Sequence, residues 1–209
     1  MRLYILIKSR KMPVGTVSKG RKKIAEGKWR ELPKGRGVHK YAVEVRNACK
    51  AIMEITKNKY EHAVAIASDG TEILSKGGKS SSVNFTQDER NRLRGARVVI
   101  HNHPGNRTFT PTDLMFALQL GITEMQVVTV DKLYSYRPDY GRVRESGLDL
   151  DEIDNDLCHC GSELYRPFWG QWGRGEISKD DADTLLCDAL MEYFVATYGG
   201  KYVITRSKQ

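Results

Sequence analysis

Apolar positions change their spacing several times along the chain, and each change marks an element. Tyr41, Val45, Ala48, Ile52 and Ile55 recur three and four apart, which predicts one apolar stripe on an amphipathic helix. Cys49 borders that stripe as a small hydrophobe. Ala63–Ala67 and Thr71–Leu74 flank Ser68-Asp69-Gly70, a pattern that predicts a β-hairpin across an Asp-Gly turn. Gly77-Gly78 and Ser80-Ser81-Ser82 read as a flexible stretch. Thr86, three residues before Glu89, predicts a short capped helix. Ala96–Ile100 is a compact apolar strand that runs into His101-Asn102-His103-Pro104. Thr110-Pro111-Thr112-Asp113 opens a second helix with Leu114, Ala117 and Leu118 on its apolar face, and Gly121 ends it. Met125–Val130 and Leu133–Arg137 predict two further strands.

After Pro138 the pattern turns acidic and irregular. Residues 139–177 are expected to form a linker or loose layer, with Trp169 and Trp172 covering the core. Ser178 caps a last helix whose apolar face is read as Leu185, Leu186, Ala189, Leu190, Tyr193 and Phe194. Gly199-Gly200 stops it, and Tyr202–Thr205 is a final short strand. Residues 1–39 hold one short strand, Leu3–Ile7, in an otherwise basic extension containing Gly and Pro. The chain therefore divides into a basic extension (1–39), a core (40–140) and an acidic linker with a C-terminal helix (141–209).

Composition narrows the class. The chain has 209 residues, 40% of them apolar and 29% charged, enough for one well-cored globular domain with an appendage. Its apolar runs fall far short of the ~20 residues that span a bilayer, and the N-terminal run is too short for a signal-peptide core. Four cysteines are too sparse for a disulfide scaffold, so a soluble protein with reduced thiols in a cytoplasm is expected. Charge is uneven: residues 1–50 hold fifteen Lys/Arg against three Asp/Glu, and residues 145–192 hold three against thirteen. The densest basic run contains Lys19, Arg21, Lys22 and Lys23. It reads either as a contact to nucleic-acid phosphate or as a solvated loop that docks on the acidic tail or on an acidic partner.

The candidate chemistry lies at a strand end. His101 and His103 are two apart on a strand, so both imidazoles point to one face. Asp113 follows ten residues on, in the first turn of a helix that the intervening loop can fold back over the strand end. Two neutral nitrogens and one carboxylate oxygen are the ligand set of a catalytic zinc site, with a fourth position left for water. The same Thr110-Pro111-Thr112-Asp113 run also makes sense as a helix start with no metal: Thr110 as cap, Pro111 as first helical residue and Asp113 as third-position acid. The two readings are compatible. A proton acceptor is needed as well. Glu61, at the start of the hairpin, fills this role if its strand pairs beside Ala96–Ile100, and Glu72 is its rival. Cys158-His159-Cys160, completed by Cys49 or Cys187, is a conceivable second site, but it lacks finger spacing and reads better as loop polarity and core thiols. His62 is expected on the face opposite Glu61.

Taken together, Glu61, His101-Asn102-His103-Pro104 and Thr110-Pro111-Thr112-Asp113 resemble the signature of the JAMM metalloproteases (MPN-type, also called JAB), in their form closest to RadC-like proteins and phage-encoded JAB domains. The resemblance covers about residues 40–140. It implies an α/β (α+β) fold with a curved mixed β-sheet flanked by helices, and a Zn2+ site that hydrolyses peptide or isopeptide bonds. It also implies that His101, His103 and Asp113 are the ligands, that Glu61 is the acid/base, and that Thr110 stands at the family's serine, which helps hold the water or the oxyanion. The expected activity is therefore a zinc hydrolase acting on a protein or peptide. The alternatives are a RadC-like nucleic-acid-associated protein and a phage or mobile-element assembly factor that uses the core for processing or docking.

Overall fold

A computed structural model describes residues 36–56 and 59–206. The Leu3–Ile7 strand and the basic run at Lys19, Arg21, Lys22 and Lys23 lie outside the described residues. The first helix, α1 (Arg36–Thr56), follows the predicted stripe. The hairpin is β1 (His62–Ile66) and β2 (Glu72–Gly77), and α2 (Gln87–Leu93) starts at the Thr86–Glu89 capping box. Next come β3 (Val98–Asn102), α3 (Pro111–Leu120), β4 (Met125–Val128) and β5 (Lys132–Arg137). The C-terminal part contains α4 (Tyr140–Glu145), α5 (Leu150–Gly173), α6 (Lys179–Tyr198) and β6 (Lys201–Arg206).

The strands form one mixed sheet in the order β2-β1-β3-β4-β5-β6. Only the β3–β4 pair is parallel, because α3 carries the chain back between them. Side-chain alternation sorts the sheet into two faces. Val64, Ile66, Val98, Ile100 and Val128 pack with Ile52 under α1. Ala65, Val99, Met125, Val127, Tyr134 and Tyr136 face α3, α5 and α6 and form the larger core. This mixed α+β architecture with flanking helices agrees with the expected fold class.

Residues 139–177 are not a linker. Most of them are helical, and α5 buries Leu150, Ile153, Leu157, Cys160 and Leu164. Those positions are three and four apart, a helical stripe surrounded by acidic residues and crossed by Pro167. Asp149 caps α5 in a reciprocal box with Glu152. The face of α6 also differs from expectation. Leu185 is 40% exposed, while Ala182, Cys187, Met191 and Tyr198 are buried with Leu190 and Phe194. The helix packs along α5 and also reaches the main core, so it needs two contact faces. Leu190 meets Cys160 and Leu164, whereas Met191, Phe194 and Tyr198 join the main core. The Asp156 carboxylate accepts hydrogen bonds from the Tyr193 and Tyr198 hydroxyls at 2.7 and 2.6 Å, tying α5 to α6.

Candidate metal centre

The site grows out of the end of β3. Within that strand, Val98 and Ile100 face α1 while Val99 faces α3, so His101 also falls on the α3 face. His103 continues the alternation, and its backbone N–H donates to the Val128 carbonyl at 3.0 Å, which holds it beside β4. Both imidazoles are buried. The loop that follows is anchored by aromatic side chains. Phe109 is 1% exposed and stands edge-on to Tyr136 and Tyr202. Thr108 Oγ1 shares a 2.8 Å hydrogen bond with the Tyr202 hydroxyl, and the Tyr134 hydroxyl donates to the Asn106 carbonyl at 3.2 Å. The strands β5 and β6 thereby set where α3 begins.

At that helix start the expected capping box is formed. The Thr110 backbone N–H and hydroxyl both donate to Asp113 Oδ2, at 2.8 and 2.7 Å. The Asp113 N–H donates back to Thr110 Oγ1 at 3.4 Å. The carboxylate is thus turned toward the histidines, with Oδ1 3.2 Å from His101 Nε2 and Oδ2 3.6 Å from His103 Nε2. The two Nε2 atoms are 3.2 Å apart. Among the described residues, His101, His103 and Asp113 form a group able to hold one ion.

The donor chemistry fits a cation. His103 Nδ1 lies 3.1 Å from the Arg107 carbonyl oxygen, which can only accept, so Nδ1 carries the ring proton and Nε2 presents a lone pair. Lone pairs converging at these separations repel unless a proton or a cation lies among them. A tetrahedral cation with bonds of about 2.0–2.1 Å spaces its ligands about 3.3–3.4 Å apart, close to the 3.2 Å between the two Nε2 atoms, and each Nε2 lies near a different oxygen of the Asp113 carboxylate. Electrostatics agree. Burial and the neighbouring His101 push the His103 imidazole down to about 4, favouring its neutral form. Burial works to lower His101 too, but Asp113 and Glu61 outweigh it and raise its value. Burial alone would raise the Asp113 carboxyl, yet the two imidazoles and the Thr110 N–H hold it well below the usual carboxylate range. Asp113 is therefore ionised.

Glu61 immediately precedes β1. The β1–β3 register pairs Ala63 with His101, and continuing it sets Glu61 opposite His103 on the same face. Glu61 is 6% exposed. Burial raises its carboxyl above the usual value, while His101 and Arg107 partly counter that shift. Glu72 pairs with Ile66 and so falls on the α1 side of the sheet. His62 also lies on that side, as expected, with Nε2 2.9 Å from Ser75 Oγ. The cysteines do not converge on one ion. Cys158 and Cys160 are two apart on a helix, about 200° around its axis, so Cys158 is exposed while Cys160 is buried.

Three features of the site were not anticipated from sequence: the Arg107 carbonyl that sets the His103 tautomer, the tyrosines Tyr134 and Tyr202 that anchor the loop, and Asn102. Asn102 is fully buried, and its side chain bonds to the backbone on either side of Glu61. A buried Asn between two same-face histidines is its only sequence signal. None of the family models, curated proteins or solved structures matches the chain.

Proposed function

We propose that this protein is a zinc-dependent hydrolase of peptide or isopeptide bonds, with His101, His103 and Asp113 as metal ligands and Glu61 as the proton carrier. The observation that carries this reading is the convergence of two buried imidazole nitrogens and the half-buried Asp113 carboxylate, with the buried Glu61 carboxylate on the same sheet face. The donor set of two imidazoles and one carboxylate favours zinc over magnesium or calcium. When bound, the cation supplies Lewis acidity, lowering the pKa of water to about 7 and polarising the substrate carbonyl. The chain's own residues do the rest. Glu61, raised by burial, takes a proton from the attacking water as the oxygen bonds to the carbonyl carbon. It then gives that proton to the leaving amine nitrogen as the C–N bond breaks. Thr110 orients Asp113 through the capping box, and Arg107 fixes the His103 tautomer.

The resemblance of these motifs to the JAMM signature agrees with this chemistry. The nucleic-acid reading draws on the basic run at Lys19–Lys23, and salt-dependent retardation of DNA or RNA that is lost on neutralising that run would favour it. The hydrolase reading is tested with a peptide and isopeptide library. Turnover is expected to be abolished by chelator and to fall about 10²–10⁴-fold in Glu61→Gln with zinc content unchanged. Undiminished turnover in Glu61→Gln would remove Glu61 from the chemistry.

A further inference from the structure

Glu61 sits where a strand would be expected to fray, yet four hydrogen bonds hold the two peptide units that flank its Cα. On one side its own N–H donates to the Lys79 carbonyl and its carbonyl accepts from the Gly78 N–H, each at 2.8 Å. These partners come from a tight turn after β2, in which the Lys79 N–H donates to the Ser82 carbonyl at 2.8 Å. A Cβ on Gly78 would run into that carbonyl, so this conformation requires glycine at that position. On the other side stands Asn102. Its Oδ1 accepts from the His62 N–H at 2.7 Å, and its Nδ2 donates to the Tyr60 carbonyl at 2.8 Å. The side-chain amide thus replaces the next rung of the β1–β3 ladder and spans the two peptide units that flank Glu61.

We infer that Asn102 is a positioning residue that clamps Glu61 against the metal centre. A primary amide suits the task, because it has one accepting oxygen and a donating NH₂ on a short stem. It is also uncharged, so it does not compete with Asp113 for a cation. His101 and His103, on either side of it in sequence, point to the opposite face of β3. One short segment thereby supplies two ligands on one face and the anchor of the base through the other. The inference rests on the hydrolase reading for what Glu61 does; the clamp itself rests on the hydrogen bonds.

The test compares wild type, Asn102→Ala, Glu61→Gln and the double variant, each reconstituted with zinc. The first readout is amide hydrogen exchange by NMR. The His62 N–H is expected to exchange at least about 10-fold faster in Asn102→Ala, with zinc stoichiometry retained. The second is a double-mutant cycle in kcat on the best library peptide. Asn102→Ala is expected to lower kcat about 10–100-fold with little change in KM, and to have no further effect once Glu61 is Gln. Should Asn102→Ala fail to fold, Asn102→Thr, similar in volume and able to serve one partner only, takes its place with smaller effects in the same directions. Unchanged His62 exchange overturns the clamp. An equal loss of kcat in the wild-type and Glu61→Gln backgrounds overturns its action through Glu61. Absence of turnover by zinc-loaded wild type overturns the hydrolase reading, and with it any catalytic role for the clamp, whatever the exchange shows.

Discussion

Replacing Thr110 with Val separates two uses of one hydroxyl. The substitution preserves shape and the backbone N–H that donates to Asp113 Oδ2 at 2.8 Å. It removes the 2.7 Å hydroxyl bond to the same oxygen and the acceptor for the Asp113 N–H at 3.4 Å. The second bond is long, so most of the loss comes from the first. Losing a hydroxyl cap of this kind costs about 1 kcal/mol, which for a chain of this size lowers Tm by about 2–4 °C. The carboxylate then keeps one of its two anchors on Oδ2 and is less firmly directed at the histidines. Loss of such an outer anchor weakens metal binding about 10–100-fold. Thr110→Ser retains the hydroxyl and should match wild type on both counts. Thermal unfolding of the metal-free protein, followed by circular dichroism, reads the first effect. Competition with a chromogenic chelator reads the second. If Thr110→Val kept wild-type zinc affinity and stability but lost turnover, the hydroxyl would act on the substrate or the oxyanion, and its role as an anchor of Asp113 would be refuted.

Two further expectations concern the rest of the fold. The Tyr140 hydroxyl lies 2.9 and 2.8 Å from the carbonyls of Ala117 and Ile122 and donates its one proton between them, joining α4 to the C-terminal end of α3. Tyr140→Phe should destabilise the protein by about 1–3 kcal/mol in urea unfolding, because at least one buried carbonyl loses its partner, and a change within error would show that the contact contributes nothing. Burial pushes the thiols of Cys49, Cys160 and Cys187 up to about 11, whereas Cys158 is exposed. Iodoacetamide at pH 8, followed by mass spectrometry, should therefore label Cys158 first; rapid labelling of Cys160 or Cys187 would contradict the packing of α5 on α6.

How far the sequence revealed this arrangement depended on whether an interaction has a local period. The parity of His101 and His103 is a two-residue property, so it placed both rings on one face before any fold was known. The Thr110–Asp113 box is also local, and it marked both the helix start and the candidate metal ligand. Glu61 required a pairing of β1 with β3, which the hairpin pattern allowed but did not specify, and Glu72 remained a rival until the register put it on the other face. The long-range anchors had no local signal: Tyr134 and Tyr202 reach a loop about 30 and 90 residues away in sequence. Helix α5 was concealed for a different reason. Its stripe of Leu150, Ile153, Leu157, Cys160 and Leu164 is regular, but the intervening acids, the aromatic cluster and Pro167 resemble an irregular segment. Tertiary packing on α3 and α6 overrides those local preferences.

The hydrolase reading depends on His101, His103 and Asp113 converging on one zinc ion. Metal content of the purified full-length protein, measured by inductively coupled plasma mass spectrometry after zinc reconstitution and desalting, probes that convergence without needing a substrate. About one zinc per chain is expected in wild type and less than about a tenth of that in His103→Ala, with the variant still folded by circular dichroism. Zinc at background level in wild type, or an equal amount in the variant, would contradict the assignment.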